Sequence, residues 1–163
     1  MASGDLLHRF QGVDGLPPSS AFASAVRRNN HYLQQFDATT EQALDFGDVL
    51  DRKYAGGGIT VILSWMAATA TTNSVVWEGK FERHDDEGLD LDADSFGTAK
   101  TVTSAAPLTS GFLQYATLTF TNAEIDGLLI GEDFRFRLSR KPADISDTMT
   151  GFAQLKGLEV RET

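Results

Sequence analysis

Cysteine is absent from the chain. That excludes disulfides, thiol catalysis and cysteine-type zinc sites. A fold without covalent staples is held by its core alone, which suits assembly in a reducing cytoplasm. Long apolar runs are also missing. None approaches the roughly 20 residues of a membrane span. The first residues lack a basic n-region and a long apolar h-region, so no signal peptide is expected. Positive charge is scarce, with 14 Lys and Arg against 23 Asp and Glu, a net charge of −9. A field of that sign argues against nucleic acid and anionic lipid as partners, because phosphate binding needs cations. The three histidines, His8, His31 and His84, are scattered, with no HxH or HExxH spacing. No serine sits in a G-x-S-x-G elbow. No catalytic constellation is legible, and an enzyme is not expected.

What is present is β pattern. The chain has 163 residues, 41% of them hydrophobic, including 11 Phe and 2 Trp, enough for one domain with a sizeable core. Ile59, Val61, Leu63, Trp65 and Ala67 share one face of a run over 59–67. In the run 75–84, Val75, Trp77, Gly79 and Phe81 alternate with Val76, Glu78, Lys80 and Glu82. A period of two marks strands. The two runs flank a turn-forming TATTNS segment and together give the sheet its core. Further strands are predicted over 21–28, 31–36, 42–50, 100–104, 112–121, 132–140 and 152–162. Asn29-Asn30 suits a tight turn with positive φ. Asn122 is the expected cap of one or two helical turns. The alternation of the last strand slips near Lys156-Gly157, which predicts a bulge. In the strand over 112–121, Phe112, Ala116, Leu118 and Phe120 face inward. The count is about eight strands with one or two short helices. An antiparallel jelly-roll β-sandwich follows, with an immunoglobulin-like sandwich as the alternative.

Residues 1–20 read as an extended N-terminal arm ahead of a sandwich over 21–163. Glycines and Pro17-Pro18 punctuate the arm, and Leu6, Leu7 and Phe10 are its apolar anchors. Such a segment either frays or docks on a partner. Gly56-Gly57-Gly58 has no following Lys-Ser/Thr pair, so it reads as a turn and not a phosphate cradle. Asp90, Asp92 and Asp94 have the D-x-D-x-D spacing that opens a calcium loop. Ser95 and Thr101 then stand where the turn glycine and the bidentate Glu belong, so calcium is a weak candidate and no cofactor is required. The carboxylates from Asp85 to Asp94 read as one solvated loop. Arg135 and Arg137 are expected to pair with Glu78 or Glu82 across the sheet. Trp65 and Trp77 belong to the core. Tyr54 and Tyr115 are the exposed rings on which a sugar could stack.

The blocks RRNNHYLQQFD, YAGGGITVILSWMA and FRFRLSR, with SDTMTG and GLEVRE near the end, resemble small virion-type proteins of tailed bacteriophages and prophages. The resemblance covers most of the chain from Arg27 onward. It implies a capsid decoration, or cement, protein assembled in the host bacterial cytoplasm. The implied partners are the major capsid protein and further copies of the chain, as a homotrimer on the virion. The alternative it implies is a tail-fibre or baseplate module that recognises host-surface carbohydrate. It carries no catalytic motif.

Overall fold

A computed structural model describes residues 4–163. Ten strands follow in order: β1 Leu6–Gln11, β2 Ser24–Arg28, β3 His31–Phe36, β4 Gln42–Val49, β5 Ile59–Ala67, β6 Ser74–His84, β7 Lys100–Ala105, β8 Gln114–Phe120, β9 Asp133–Arg140 and β10 Ala153–Glu162. Two short 3₁₀ turns lie at Gly12–Asp14 and Asn122–Ile125. One sheet has six strands in the order β2-β3-β10-β5-β8, with β1 also on β10. The other has four, in the order β4-β9-β6-β7. Every named pairing is antiparallel, and the two sheets pack as a jelly-roll sandwich around one apolar core.

The alternation decides the inner faces. Ile59, Val61, Leu63, Trp65 and Ala67 of β5 are all buried, as are Val75, Trp77 and Phe81 of β6. Trp65 and Trp77 meet edge-to-face at 5.9 Å, and Phe81 lies 4.8 Å from Phe136. Gly79 is required at its place on β6, because a Cβ there would meet the Phe136 ring at 2.7 Å and Leu118 at 2.8 Å. Both tryptophans are thus core residues. Asn29 and Asn30 turn β2 into β3 with φ of 42° and 68°.

Several expectations change. β5 and β6 do not pair; residues 68–73 carry the chain from one sheet to the other. Each strand turns its apolar side to the same core from opposite layers, which alternation alone does not distinguish from pairing. Of the expected arm, residues 1–3 lie outside the described residues, and residues 4–20 do not stand apart from the sandwich. β1 pairs with β10 from Leu6↔Arg161 to Gln11↔Gly157, and Leu7 and Phe10 are buried in the core. Leu6 remains 43% exposed. Pro17 is exposed and Pro18 half-buried, in a segment that bridges to the edge of β4 at Leu16↔Asp45 and Phe22↔Ala43. That coverage protects an open sheet edge. Phe112 lies outside β8 and is 65% exposed, because its N–H bonds Thr109 in a turn before the strand begins. At the 3₁₀ turn the capping is done by Glu124, whose carboxylate accepts from the Thr121 N–H at 2.8 Å, and Asn122 is already inside the turn.

Candidate functional site

The outer face of each sheet carries a depression. On the six-stranded sheet a groove of about 270 Å³ crosses β1, β10, β5 and β8. Its floor is Ile62 and Ser64, and Leu113 and Tyr115 form one wall. Tyr115 stands opposite Ser64 on β8 and is 63% exposed. Thr117 and Thr119, two and four residues on, share its face and are exposed. Small β-branched neighbours suit a solvated sheet face and leave the ring accessible from above.

The other wall comes from β1 and β10. Arg9 and Gln11 project from β1, and Lys156 and Glu159 from β10. The predicted bulge is there. Leu155 pairs with Trp65 and Gly157 with Ser64, so Lys156 is an extra residue. Gly157 is held close to β1, where a Cβ would meet the Phe10 carbonyl at 2.5 Å. Glu159 is engaged by Arg161, whose Nε and Nη2 lie 2.9 and 2.7 Å from one carboxylate oxygen. The segment carrying Leu113 is fastened by Arg28, which donates to Ser110 Oγ at 2.9 Å and to the Ala67 carbonyl at 2.9 Å.

On the four-stranded sheet the depression is larger, about 620 Å³, and is lined by Lys80, Asp94, Arg135 and Arg137. Here the charges satisfy one another. Arg135 binds both oxygens of Glu82 at 2.9 Å and Asp94 at 2.6 Å. Arg137 binds both oxygens of Asp45 at 2.7 and 2.8 Å. The Phe96 ring lies 4.6–4.8 Å from the side-chain cations of Arg135, Arg137 and Lys80. Burial pushes the Glu82 carboxyl up, but bonds from Arg135, the Ser95 N–H and His84 together outweigh it and hold the group below the usual glutamate range. The hydrogen bond from Arg135 likewise holds Asp94 low. The acidic loop is therefore strapped over this face. The expected Arg135–Glu82 pair is present, whereas Glu78 faces Lys141 at 3.7 Å and Arg137 takes Asp45.

The other candidates separate. Tyr54 is buried, not exposed: its hydroxyl accepts from the Gly58 N–H at 3.1 Å. Burial raises its phenol pKa, the Gly58 N–H opposes this, and the Glu162 carboxylate adds to it. The glycine turn is filled from within, because Glu162 accepts from the N–H groups of Ala55 and Gly57 at 3.1 and 3.0 Å. Asp90 accepts from the Asp92 N–H at 2.9 Å, while Asp94 turns to the two arginines, so the three carboxylates do not converge. Among the described residues, no group of three or more His, Asp or Glu is placed to hold a metal. Of the two tyrosines singled out, only Tyr115 lines an open groove. Arg9 and Gln11, in the expected arm, carry no signal of their place in the groove, and Lys156 is marked only by the bulge.

No family model and no curated protein sequence matches the chain. Solved structures do resemble it. The C-terminal CBM6, a carbohydrate-binding module, of the marine laminarinase LamC from Zobellia galactanivorans superposes with a TM-score of 0.51 at 9% identity, over 95% of this chain and 98% of that one. The arabinose-bound α-L-arabinofuranosidase MgGH51 gives 0.56 at 8% identity, over 98% of this chain and 26% of the enzyme. The cycloisomaltooligosaccharide glucanotransferase of Paenibacillus sp., complexed with cycloisomaltoheptaose, gives 0.52 at 10% identity, over 93% of this chain and 18% of the enzyme. The chain thus spans about a quarter or less of these two enzymes. At such identities the likeness is one of fold: this chain has the jelly-roll architecture found in a carbohydrate-binding module and within two carbohydrate-active enzymes.

Proposed function

We propose that this chain is a non-catalytic carbohydrate-binding domain that holds an oligosaccharide across the outer face of its six-stranded sheet. The observation that carries this reading is Tyr115, a 63% exposed ring beside an open groove that polar and charged side chains also line. An aromatic ring offers a flat apolar surface to a sugar, while polar neighbours meet the hydroxyls. Gln11, Ser64 and Glu159 supply such groups along the groove. Glycoside hydrolysis uses two carboxylates flanking the bond. This groove is lined by one, Glu159, and Arg161 already binds it. The shared fold with a carbohydrate-binding module supports the same reading.

The resemblance to tailed-phage proteins supports a place on a virion, where a module of this kind would recognise host-surface carbohydrate. A glycan array probed with the intact chain, with and without calcium, tests the function. Binding by the native chain and its loss in Tyr115→Ala, with an unchanged melting temperature, is the expected result. A folded protein that binds no glycan overturns it. Co-sedimentation with purified heads in that case would favour the cement role instead.

A further inference from the structure

The groove is a positive spot on an acidic protein. The chain carries a net charge of −9, yet the charged side chains lining the groove are Arg9, Lys156 and Glu159. Glu159 is neutralised by Arg161 from outside the groove. Arg9 approaches the second Glu159 oxygen only to 3.9 Å, and its side chain is 71% exposed. Lys156 is exposed and, among the described residues, joins no ion pair. Two cations therefore line the groove with one carboxylate, which Arg161 already binds. The contrast with the four-stranded sheet is sharp: there Arg135 and Arg137 are closed off by Asp45, Glu82 and Asp94.

The backbone puts Lys156 in this place. A bulge adds one residue to β10 at the point where β1 gives way to β3 along its edge. Bulges re-aim side chains and recur beside binding sites. Adjacent strands lie about 4.8 Å apart, so Tyr115 on β8 is two strands, about 10 Å, from Lys156, while Arg9, three strands away and level with Thr117, is about 16 Å off. A ligand that stacks one ring on Tyr115 brings a neighbouring ring over the cations. A neutral sugar would leave Lys156 to water and Arg9 to its long contact with Glu159; an anionic one would give both a closer partner.

We propose that the groove selects an anionic oligosaccharide, with one sugar ring on Tyr115 and a carboxylate or sulfate of the next ring held by Lys156 and Arg9. The inference rests on the carbohydrate-binding reading and names the ligand class for the same groove.

The test measures binding by calorimetry on the full chain with matched probes: an oligogalacturonate and its methyl ester, and a sulfated galactan oligosaccharide and its desulfated form. The charged member of at least one pair should bind about tenfold or more tighter, as charge-assisted hydrogen bonds require. The pair that shows it identifies carboxylate or sulfate as the group read. Added salt should narrow the gap. The double variant Arg9→Gln/Lys156→Gln should bring the affinity ratio of that pair close to one, and Tyr115→Ala should weaken both members. Equal affinity within both pairs overturns the selectivity and leaves the carbohydrate-binding reading standing. A charge preference that survives the double variant overturns the assignment to this groove. No binding of any of the four probes overturns the anionic preference, and the glycan array then decides whether the broader reading falls with it.

Discussion

The outer faces of the two sheets treat charge in opposite ways. On the four-stranded sheet every cation near the depression has an internal carboxylate or an aromatic lid, and the loop carrying Asp94, Ser95 and Phe96 is pinned down by them. On the six-stranded sheet the cations are left open beside an exposed ring. A buried charge is expensive unless paired, so the first face uses its charges for cohesion. An exposed charge contributes little to stability, so the second can hold its charges ready for a ligand. The larger depression is therefore the structural one, and size alone is a poor guide to function here.

Substitutions should separate the faces by the size of their effect on stability. The largest belongs to the end of the four-stranded sheet. The side chains of Arg140 and Asp147 are fully buried, and Asp147 accepts from Arg140 Nε at 3.0 Å and from Nη2 at 2.8 Å. Asp147→Ala leaves a buried guanidinium unpaired and should cost about 3–5 kcal/mol in urea unfolding. Glu82→Gln comes next, at about 1.5–3 kcal/mol, because Arg135 loses its charged partner.

The pH dependence follows from the same carboxylates. Glu82 and Asp94 are held below their usual range in the folded state. Their contribution is therefore complete above that range and is lost as pH falls through and below it. Melting temperature against pH should show an acid limb that Glu82→Gln flattens; identical limbs would break the assignment.

Asp94→Ala should change stability by less than about 1 kcal/mol, since that side chain is half-exposed. Its readout is faster proteolysis within the acidic loop. The smallest effect belongs to the open face. Lys156→Gln and Tyr115→Ala should each leave stability within about 0.5 kcal/mol, measured in the same unfolding experiment. A large loss there would mean that this face, too, is built for cohesion.

Much of the fold was legible because alternation is local. β3 and β5 begin and end where the pattern places them, and the slip at Lys156 marked a real bulge. β1 was not legible. Six residues between glycines and prolines show little period, and the strand gains its apolar partners only from the far end of the chain. Tyr54 looked exposed because it borders a glycine turn, but the turn folds back and its Gly58 N–H takes the phenol oxygen. Arg135 and Glu82 were paired correctly across neighbouring strands, whereas Asp45 and Asp94 reach the same cluster from far along the chain.

The amino-acid order alone determined that this is an all-β protein, which side of the strongly alternating strands faces the core, that no disulfide holds it, and that its overall field is negative. Those properties are local periodicities or sums, and they need no knowledge of partners. Only the tertiary structure decided which strands share a sheet, and so which charges meet. The β1–β10 pairing brings Arg9 beside Glu159, and the β10–β5–β8 order sets Tyr115 across from Lys156. A two-residue period records burial but not the neighbour, because any apolar face can close the same core. The neighbour is chosen by packing and hydrogen bonding across the whole chain, and the groove exists only once that choice is made.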